Sequence, residues 1–133
     1  MDGVLESVGQ GALWPSFEGH SDGHVPAMSD GASWALLNPD SSDGLRSQLA
    51  ILLQGLGGNI PSHVDRNRVD IDDTKGPVYI DETATIGPYV KITGPCYIGP
   101  RSEIRHSALI RENTWACSDT VIGHSSETKH SLL

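Results

Sequence analysis

Residue types capable of chemistry recur at one spacing in the last third of the chain. His106 and His124 lie 18 apart in the sequence, and so do Arg111 and Lys129. An imidazole can act as a general base or bind a metal ion. Neighbouring cations are suited to binding phosphate or carboxylate groups. Whether these residues act together depends on whether this separation makes them neighbours in the fold.

A repeat of six residues underlies this spacing. The lead position of the repeat is occupied by Ile80, Ile86, Ile92, Ile98, Ile104, Ile110, Ala116, Ile122 and Thr128. The position two residues earlier is small or β-branched throughout. Neither a helix nor a strand has a period of six, but two inward residues make a short strand and the Gly- and Pro-rich remainder makes a turn. The pattern predicts a mainly β protein, a prism-shaped parallel β-helix of about three coils over residues 78–133.

Residues 1–77 precede the repeat and read as an irregular region followed by one helix. The leucines at 45, 49, 52, 53 and 56 form one apolar face, which predicts a helix over about 43–56. Ser42 or Asp43 is the expected N-cap, and Gly57-Gly58 the expected end. We expect this helix to cap the N-terminal end of the coils, and Val69–Ile71 to add one lead-in strand.

Charge and composition exclude several function classes. The formal net charge is −8, and residues 1–77 carry four Lys and Arg against eleven Asp and Glu. This acidity argues against nucleic acid as a partner. No run approaches the roughly 18 apolar residues that span a bilayer, and the start lacks the basic and apolar regions of a signal peptide. From this we expect that the protein does not bind membranes. Two cysteines make no disulfide framework, so we also expect a cytoplasmic location.

The hexads "IGPYVK", "TGPCYIGP" and "IGHSSE" match the signature of hexapeptide-repeat, left-handed β-helix proteins. Within that group, residues 76–111 and the end "VIGHSSETKHSLL" resemble the acyltransferase domain of bacterial glucosamine-1-phosphate acetyltransferase/UDP-N-acetylglucosamine pyrophosphorylase and related sugar nucleotidyltransferase-like proteins. The resemblance implies a left-handed coil of three hexads and a homotrimer. Spacing alone would not give that hand, because parallel crossovers normally run right-handed.

The resemblance also implies a function in UDP-N-acetylglucosamine metabolism, with acetyl-CoA as a possible co-substrate. By local similarity, Arg105 in "IRHSAL" and Lys129 in "TKHSLL" match the hexads with which the family binds its sugar phosphate. The family's nucleotide-binding loop has no counterpart here, and its catalytic hexads follow the part that matches. We therefore expect an acyltransferase-like protein that binds a phosphorylated sugar or nucleotide sugar and is incomplete for catalysis. The alternative is a non-catalytic, self-assembling or binding module.

With three hexads per coil, residues 18 apart lie one above the other, roughly 4.8 Å apart. Arg111 and Lys129 then share a corner, where Glu112 can relieve their repulsion. Similarity favours Arg105 as the anion-binding arginine and coil register favours Arg111, so all three cations remain substrate-binding candidates. His106 and His124 stack, which makes them candidate metal ligands with a third histidine from a neighbouring subunit, or simply solvated side chains. His124 is also the candidate general base.

Three aromatic residues, Tyr79, Tyr97 and Trp115, form an outward column in the same register. An exposed aromatic column normally marks a contact surface. It can pack against the leucine face of the helix or the segment around Trp34, form a subunit interface, or stack against a ligand. Cys96 occupies an inward position and is expected to be inert. Cys117 is expected at a solvent-accessible corner and not paired with Cys96.

Overall fold

The computed structural model describes residues 23–27 and 36–133, so Trp34 lies outside the described part of the chain. The described residues form one helix, α1 (Leu45–Leu56), and eleven short strands. The strands are β1 (Asp70–Asp72), β2 (Val78–Ile80), β3 (Thr85–Ile86), β4 (Lys91–Thr93), β5 (Cys96–Ile98), β6 (Glu103–Ile104), β7 (Leu109–Ile110), β8 (Thr114–Ala116), β9 (Val121–Ile122), β10 (Glu127–Thr128) and β11 (Ser131–Leu132).

The strands stack into three parallel sheets, one on each side of a solenoid. The first sheet has the order β2-β5-β8-β11, the second β1-β4-β7-β10, and the third β3-β6-β9. Consecutive strands along the chain therefore belong to different sheets, and each sheet is extended once per coil. The mainly β, parallel solenoid predicted from the sequence is confirmed. It has about four turns, because β1 and a bridge between Asn59 and Tyr79 add one before Val78.

Most strand pairs join residues 18 apart, as Val78 with Cys96 and Thr85 with Glu103 do. Two steps depart from this spacing. Asp70 pairs with Lys91, a step that is longer by three and accommodates the loop between β1 and β2. Thr114 pairs with Ser131, a step that is shorter by one. The final strand therefore enters its sheet one residue early.

Backbone conformation at the corners follows the same spacing, including the shortened step. Non-glycine residues with positive φ recur every six residues from 101 to 125, and the next, His130, follows after only five. Each stands immediately before an inward residue that either begins a strand or directly precedes one. We predicted that glycines and prolines would form the turns, but of the glycines that the structure describes only Gly57 has a positive φ. Glycine is needed for close approach instead, because a Cβ on Gly87 would lie 2.9 Å from the backbone nitrogen of His106.

The interior of the solenoid is filled by the inward residues of all three sheets. Ile80, Ile92, Ile98 and Ile110 are completely buried, together with small residues such as Ala84. Val64 and Val69 belong to the same cluster, and Ile60 and Ile71 pack against it. These four residues come from the segment before β2, so that segment, and not α1, completes the core at its N-terminal end.

Helix α1 lies against a side of the solenoid, which corrects the expected end cap. Its buried residues Leu45, Leu49 and Leu53 form a second cluster with Tyr97 and Trp115, separate from the interior. The physical reason is that the outward aromatic column offers apolar area on the first sheet. Gly57 ends the helix as predicted, but the N-cap is Gly44 and makes no side-chain hydrogen bond. Neither Ser42 nor Asp43 holds that position.

Candidate functional site

The corner that follows the second sheet brings Arg111 and Lys129 together. Arg111 comes directly after β7 and Lys129 directly after β10, and the backbone N–H of Arg111 donates to the carbonyl of Thr128 at 2.8 Å. Both cations approach Glu112, at 3.9 Å from Arg111 Nη2 and 3.6 Å from Lys129 Nζ. Glu112 therefore shields the two cations from each other, as the sequence predicted.

The carboxyl group of Glu112 is held in its charged form at this corner. Its pKa is lowered from the ordinary value of 4.5, first by a hydrogen bond from its own backbone N–H and then by Lys129, Arg111 and Lys75. Arg111 also pairs with Glu127, Nη1 to Oε2 at 3.0 Å. Lys129 has the weaker contact of the two cations and is about half exposed. It remains available to a ligand.

Arg105 lies at a different corner and does not join this group. It follows β6, and its backbone N–H donates to the carbonyl of Ile122 at 2.9 Å, in the third sheet. Its guanidinium Nε contacts Glu103 Oε2 at 3.0 Å. Of the two arginines left open by the sequence, the register groups Arg111 with Lys129.

A cavity of about 520 Å³ opens beside the Arg111–Lys129 corner. Its lining comprises Pro39, Arg46, Lys75, Pro95, Glu112, Asn113, Lys129 and His130. The lining comes from the region of α1, the loop between β1 and β2, and the corners that join the second sheet to the first in three successive coils. We refer to it as the corner cavity.

Sequence reasoning missed most of the corner cavity. Arg46 and Lys75 lie outside the hexads, in segments that the repeat cannot place. Asn113 and His130 could have been placed at a corner from the sequence, because both lie in the turn part of a hexad. In the structure both have a positive φ. The backbone N–H of His130 donates to the Glu112 carbonyl at 3.0 Å.

His106 and His124 stack as predicted. Their ring centroids are 5.2 Å apart and their planes differ by 9°. Both are exposed and line an open groove of about 480 Å³ with Arg105 and Glu103. In residues 23–27 and 36–133, no group of three or more His, Cys, Asp or Glu side chains could hold a metal ion. The groove provides two imidazoles that a substrate or a neighbouring subunit can reach.

The aromatic column packs inside the chain, in agreement with the first of the predicted alternatives. Tyr79, Tyr97 and Trp115 pair directly across β2, β5 and β8, and Tyr97 and Trp115 are only 1% and 3% exposed. The Tyr97 hydroxyl accepts the backbone N–H of His24 at 3.1 Å, and Trp115 Nε1 donates to the His24 carbonyl at 2.9 Å. Burial raises the pKa of Tyr97 to about 12. Segment 23–27 and α1 thus occupy the face that a ligand or subunit would need.

The two cysteines are free and both are buried. Cys96 faces the solenoid interior as expected. The prediction that Cys117 is solvent-accessible is wrong, because it lies in the cluster formed with the leucines of α1. Burial raises the pKa of each thiol to about 12. Neither is activated as a nucleophile.

The sequence matches no family model, no curated protein and no solved structure. Across the described residues, no helix combines the length and apolar character needed to cross a membrane.

Proposed function

We propose that the chain is an acyltransferase-like β-solenoid of the hexapeptide-repeat type, which binds a phosphorylated sugar or nucleotide sugar of UDP-N-acetylglucosamine metabolism. The proposal includes the left-handed winding, the trimer and the cytoplasmic location that the resemblance implies. One observation carries the binding function: a cation-rich corner with an adjoining cavity on a chain whose net charge is −8. Charge of the opposite sign to the whole chain, gathered at a concave surface, favours an anionic ligand.

The ligand class follows from the groups at the corner. Lys129 and Arg111 supply charged donors, and phosphate oxygens accept such hydrogen bonds strongly. Arg111 is already paired with Glu127, so Lys129, whose contact with Glu112 is longer at 3.6 Å, is the cation of this pair that is more available to a ligand. A phosphorylated sugar adds hydroxyl groups, which match the amide and imidazole side chains of the cavity. Arg105 remains the alternative anion ligand on grounds of similarity.

Acyl transfer is the second candidate function, favoured by the open groove at His106 and His124. There His124 would accept a proton from the sugar amine as the amine attacks the thioester carbonyl of acetyl-CoA. The amide forms as the C–S bond breaks, and the proton passes to the departing CoA thiolate. A third histidine from a neighbouring subunit would instead make this groove a metal site. The alternative, a non-catalytic, self-assembling or binding module, would need neither acyl transfer nor a metal site. Such a module would use only the Arg111–Lys129 corner.

Titration calorimetry with UDP-N-acetylglucosamine, N-acetylglucosamine-1-phosphate and acetyl-CoA tests these alternatives. We expect the two phosphorylated sugars to bind, and Lys129→Gln to weaken them roughly tenfold to a hundredfold, the usual effect of one charged hydrogen bond. Arg101→Gln removes a cation from a different corner and is the matched control. Binding of acetyl-CoA would favour acyl transfer. Binding of none of the three compounds would refute the sugar-phosphate proposal, and sedimentation analysis would test the trimer.

A further inference from the structure

More cations than carboxylates line the corner cavity. Arg46, Lys75 and Lys129 line it, against the single carboxylate of Glu112. Within the described part of the chain, Arg46 and Lys75 form no ion pair, and both are exposed. Like charges brought to one concave surface repel each other unless an anion joins them. The cavity therefore has the charge of a site for a dianion.

The position of Arg46 in its helix points the same way. It is the second residue of α1, and the first turn of that helix contains no acidic residue. The N-terminal end of a helix carries partial positive charge, so a cation there is unfavourable and an anion favourable. The N-cap, Gly44, provides no side-chain acceptor for the free N–H groups. A bound phosphate would offset both features.

Two buried polar atoms provide an independent observation. Asn113 Oδ1 and His130 Nε2 are shielded from solvent, and within the described residues neither has a hydrogen-bond partner. A buried polar atom left unpaired costs about 1–3 kcal/mol. Both residues line the corner cavity beside Lys129. An amide oxygen accepts from a hydroxyl, and an imidazole nitrogen can either donate or accept. Because both atoms are shielded from solvent, a sugar hydroxyl would reach them only after the two side chains rotate into the cavity, and the missing hydrogen bonds favour that rotation.

We propose that the corner cavity binds a phosphate ester of a sugar. Arg46, Lys75 and Lys129 hold the phosphate, while Asn113 and His130 bind sugar hydroxyls. The choice of a sugar rests on the proposed function above, but the phosphate site rests on the cation cluster alone. The inference assigns the phosphate to cations from α1 and from the loop before β2, which the hexad pattern does not identify.

The three cations that hold the phosphate would come from parts of the chain that are distant in sequence: α1, the loop before β2, and the corner after β10. Ligand binding then favours the arrangement in which α1 stays against the solenoid, because only that arrangement assembles all three cations. A ligand that binds the folded state alone stabilises it by mass action. We therefore expect the phosphate ester to raise the melting temperature of the intact chain.

Calorimetry and thermal melts with three probes test the inference: inorganic phosphate, glucosamine-1-phosphate and unphosphorylated N-acetylglucosamine. We expect the sugar phosphate to bind more tightly than inorganic phosphate, and the neutral sugar not to bind detectably. Arg46→Gln and Lys75→Gln should each weaken both phosphates roughly tenfold or more. Arg101→Gln, a charge change at a remote corner, should leave both affinities unchanged.

The hydroxyl assignment has its own variant. Asn113→Gly removes the amide while tolerating the positive φ of 65° at that position. It should weaken glucosamine-1-phosphate several-fold and leave inorganic phosphate unaffected. Equal loss for both ligands would overturn the hydroxyl role of Asn113. Circular dichroism of each variant separates loss of binding from loss of fold.

The outcomes distinguish this inference from the proposed function. Sugar-phosphate binding that survives Arg46→Gln and Lys75→Gln but is lost in Arg105→Gln would overturn the cavity site and leave the proposed function standing. Phosphate binding that depends on Arg46 and Lys75 but gains nothing from the sugar would overturn the sugar ligand, and with it the proposed function. Failure of all phosphates to bind would refute both.

Discussion

Replacing Leu49 by alanine should release α1 from the side of the solenoid without unfolding the coils. Leu49 is completely buried in the cluster that contains Tyr97, Trp115 and Cys117. Truncation of a buried leucine to alanine costs about 2–5 kcal/mol, depending on how far the cavity collapses. If that loss falls on the helix interface alone, the population with α1 detached rises roughly 30- to 4,000-fold.

The two cysteines report this opening separately. Cys117 is 3% exposed beneath the α1 cluster, whereas Cys96 lies in the solenoid interior. Burial raises the pKa of both thiols to about 12, so in the closed state at pH 8 almost no reactive thiolate exists at either position. Detachment of α1 would return Cys117 to a near-ordinary pKa and to solvent. Its labelling rate by a disulfide reagent then follows the open population.

The assay is native-state labelling read by peptide mass spectrometry, which distinguishes the two thiols without a further substitution. We expect Leu49→Ala to increase the labelling rate of Cys117 roughly 30- to 4,000-fold and to leave the labelling rate of Cys96 nearly unchanged. Ile51→Ala is the matched control, since Ile51 lies on the same helix and is 68% exposed. Equal acceleration of both cysteines would show that helix and coils open as one unit. No acceleration of Cys117 would refute the packing role assigned to Leu49.

Two further predictions concern the solenoid and its charged corner. Ile98→Ala, in the filled interior, should lower the free energy of unfolding by about 2–5 kcal/mol in denaturant titrations. Val121→Ala, at an exposed strand position, should change it by less than about 0.5 kcal/mol. Similar losses for the two variants would contradict the assignment of Ile98 as inward and Val121 as outward. Lys129→Gln should raise the lowered pKa of Glu112 toward 4.5 in an NMR titration, because the folded state loses a cation that favours the carboxylate. The stability linked to Glu112 is present above pH 4.5 and is lost as the pH falls through the lowered pKa. An unchanged pKa of Glu112 in the variant would contradict the contact with Lys129.

The stacked parts of the fold could be predicted from the sequence because their geometry is periodic. Once each coil is known to hold three hexads, the pairing of Tyr97 with Trp115 and the stacking of His106 on His124 follow from counting. The same counting grouped Arg111 with Lys129. Counting residues therefore predicted the lateral neighbours correctly wherever the six-residue period was unbroken.

The remaining features depend on contacts between segments that share no period. The docking of α1 buries Cys117, so an expected accessible corner became part of an apolar cluster. Arg46 and Lys75 reach the corner cavity from segments outside the repeat, and the longer first step gives no register for counting. Segment 23–27 contacts the aromatic column through backbone groups of His24 and through its ring, which lies edge-on to Tyr97, and this segment belongs to no repeat.

Coil geometry also constrains how this molecule can change in length. Consecutive lead residues, such as Ile80, Ile86 and Ile92, belong to three different sheets. Adding or deleting one hexad would therefore turn every later side chain to the next side of the prism, moving a cation from one cluster into another while the interior remained filled. A change of three whole hexads would restore every lateral neighbourhood and alter only the height. Small length changes can thus redistribute surface chemistry without any substitution at the residues that perform it.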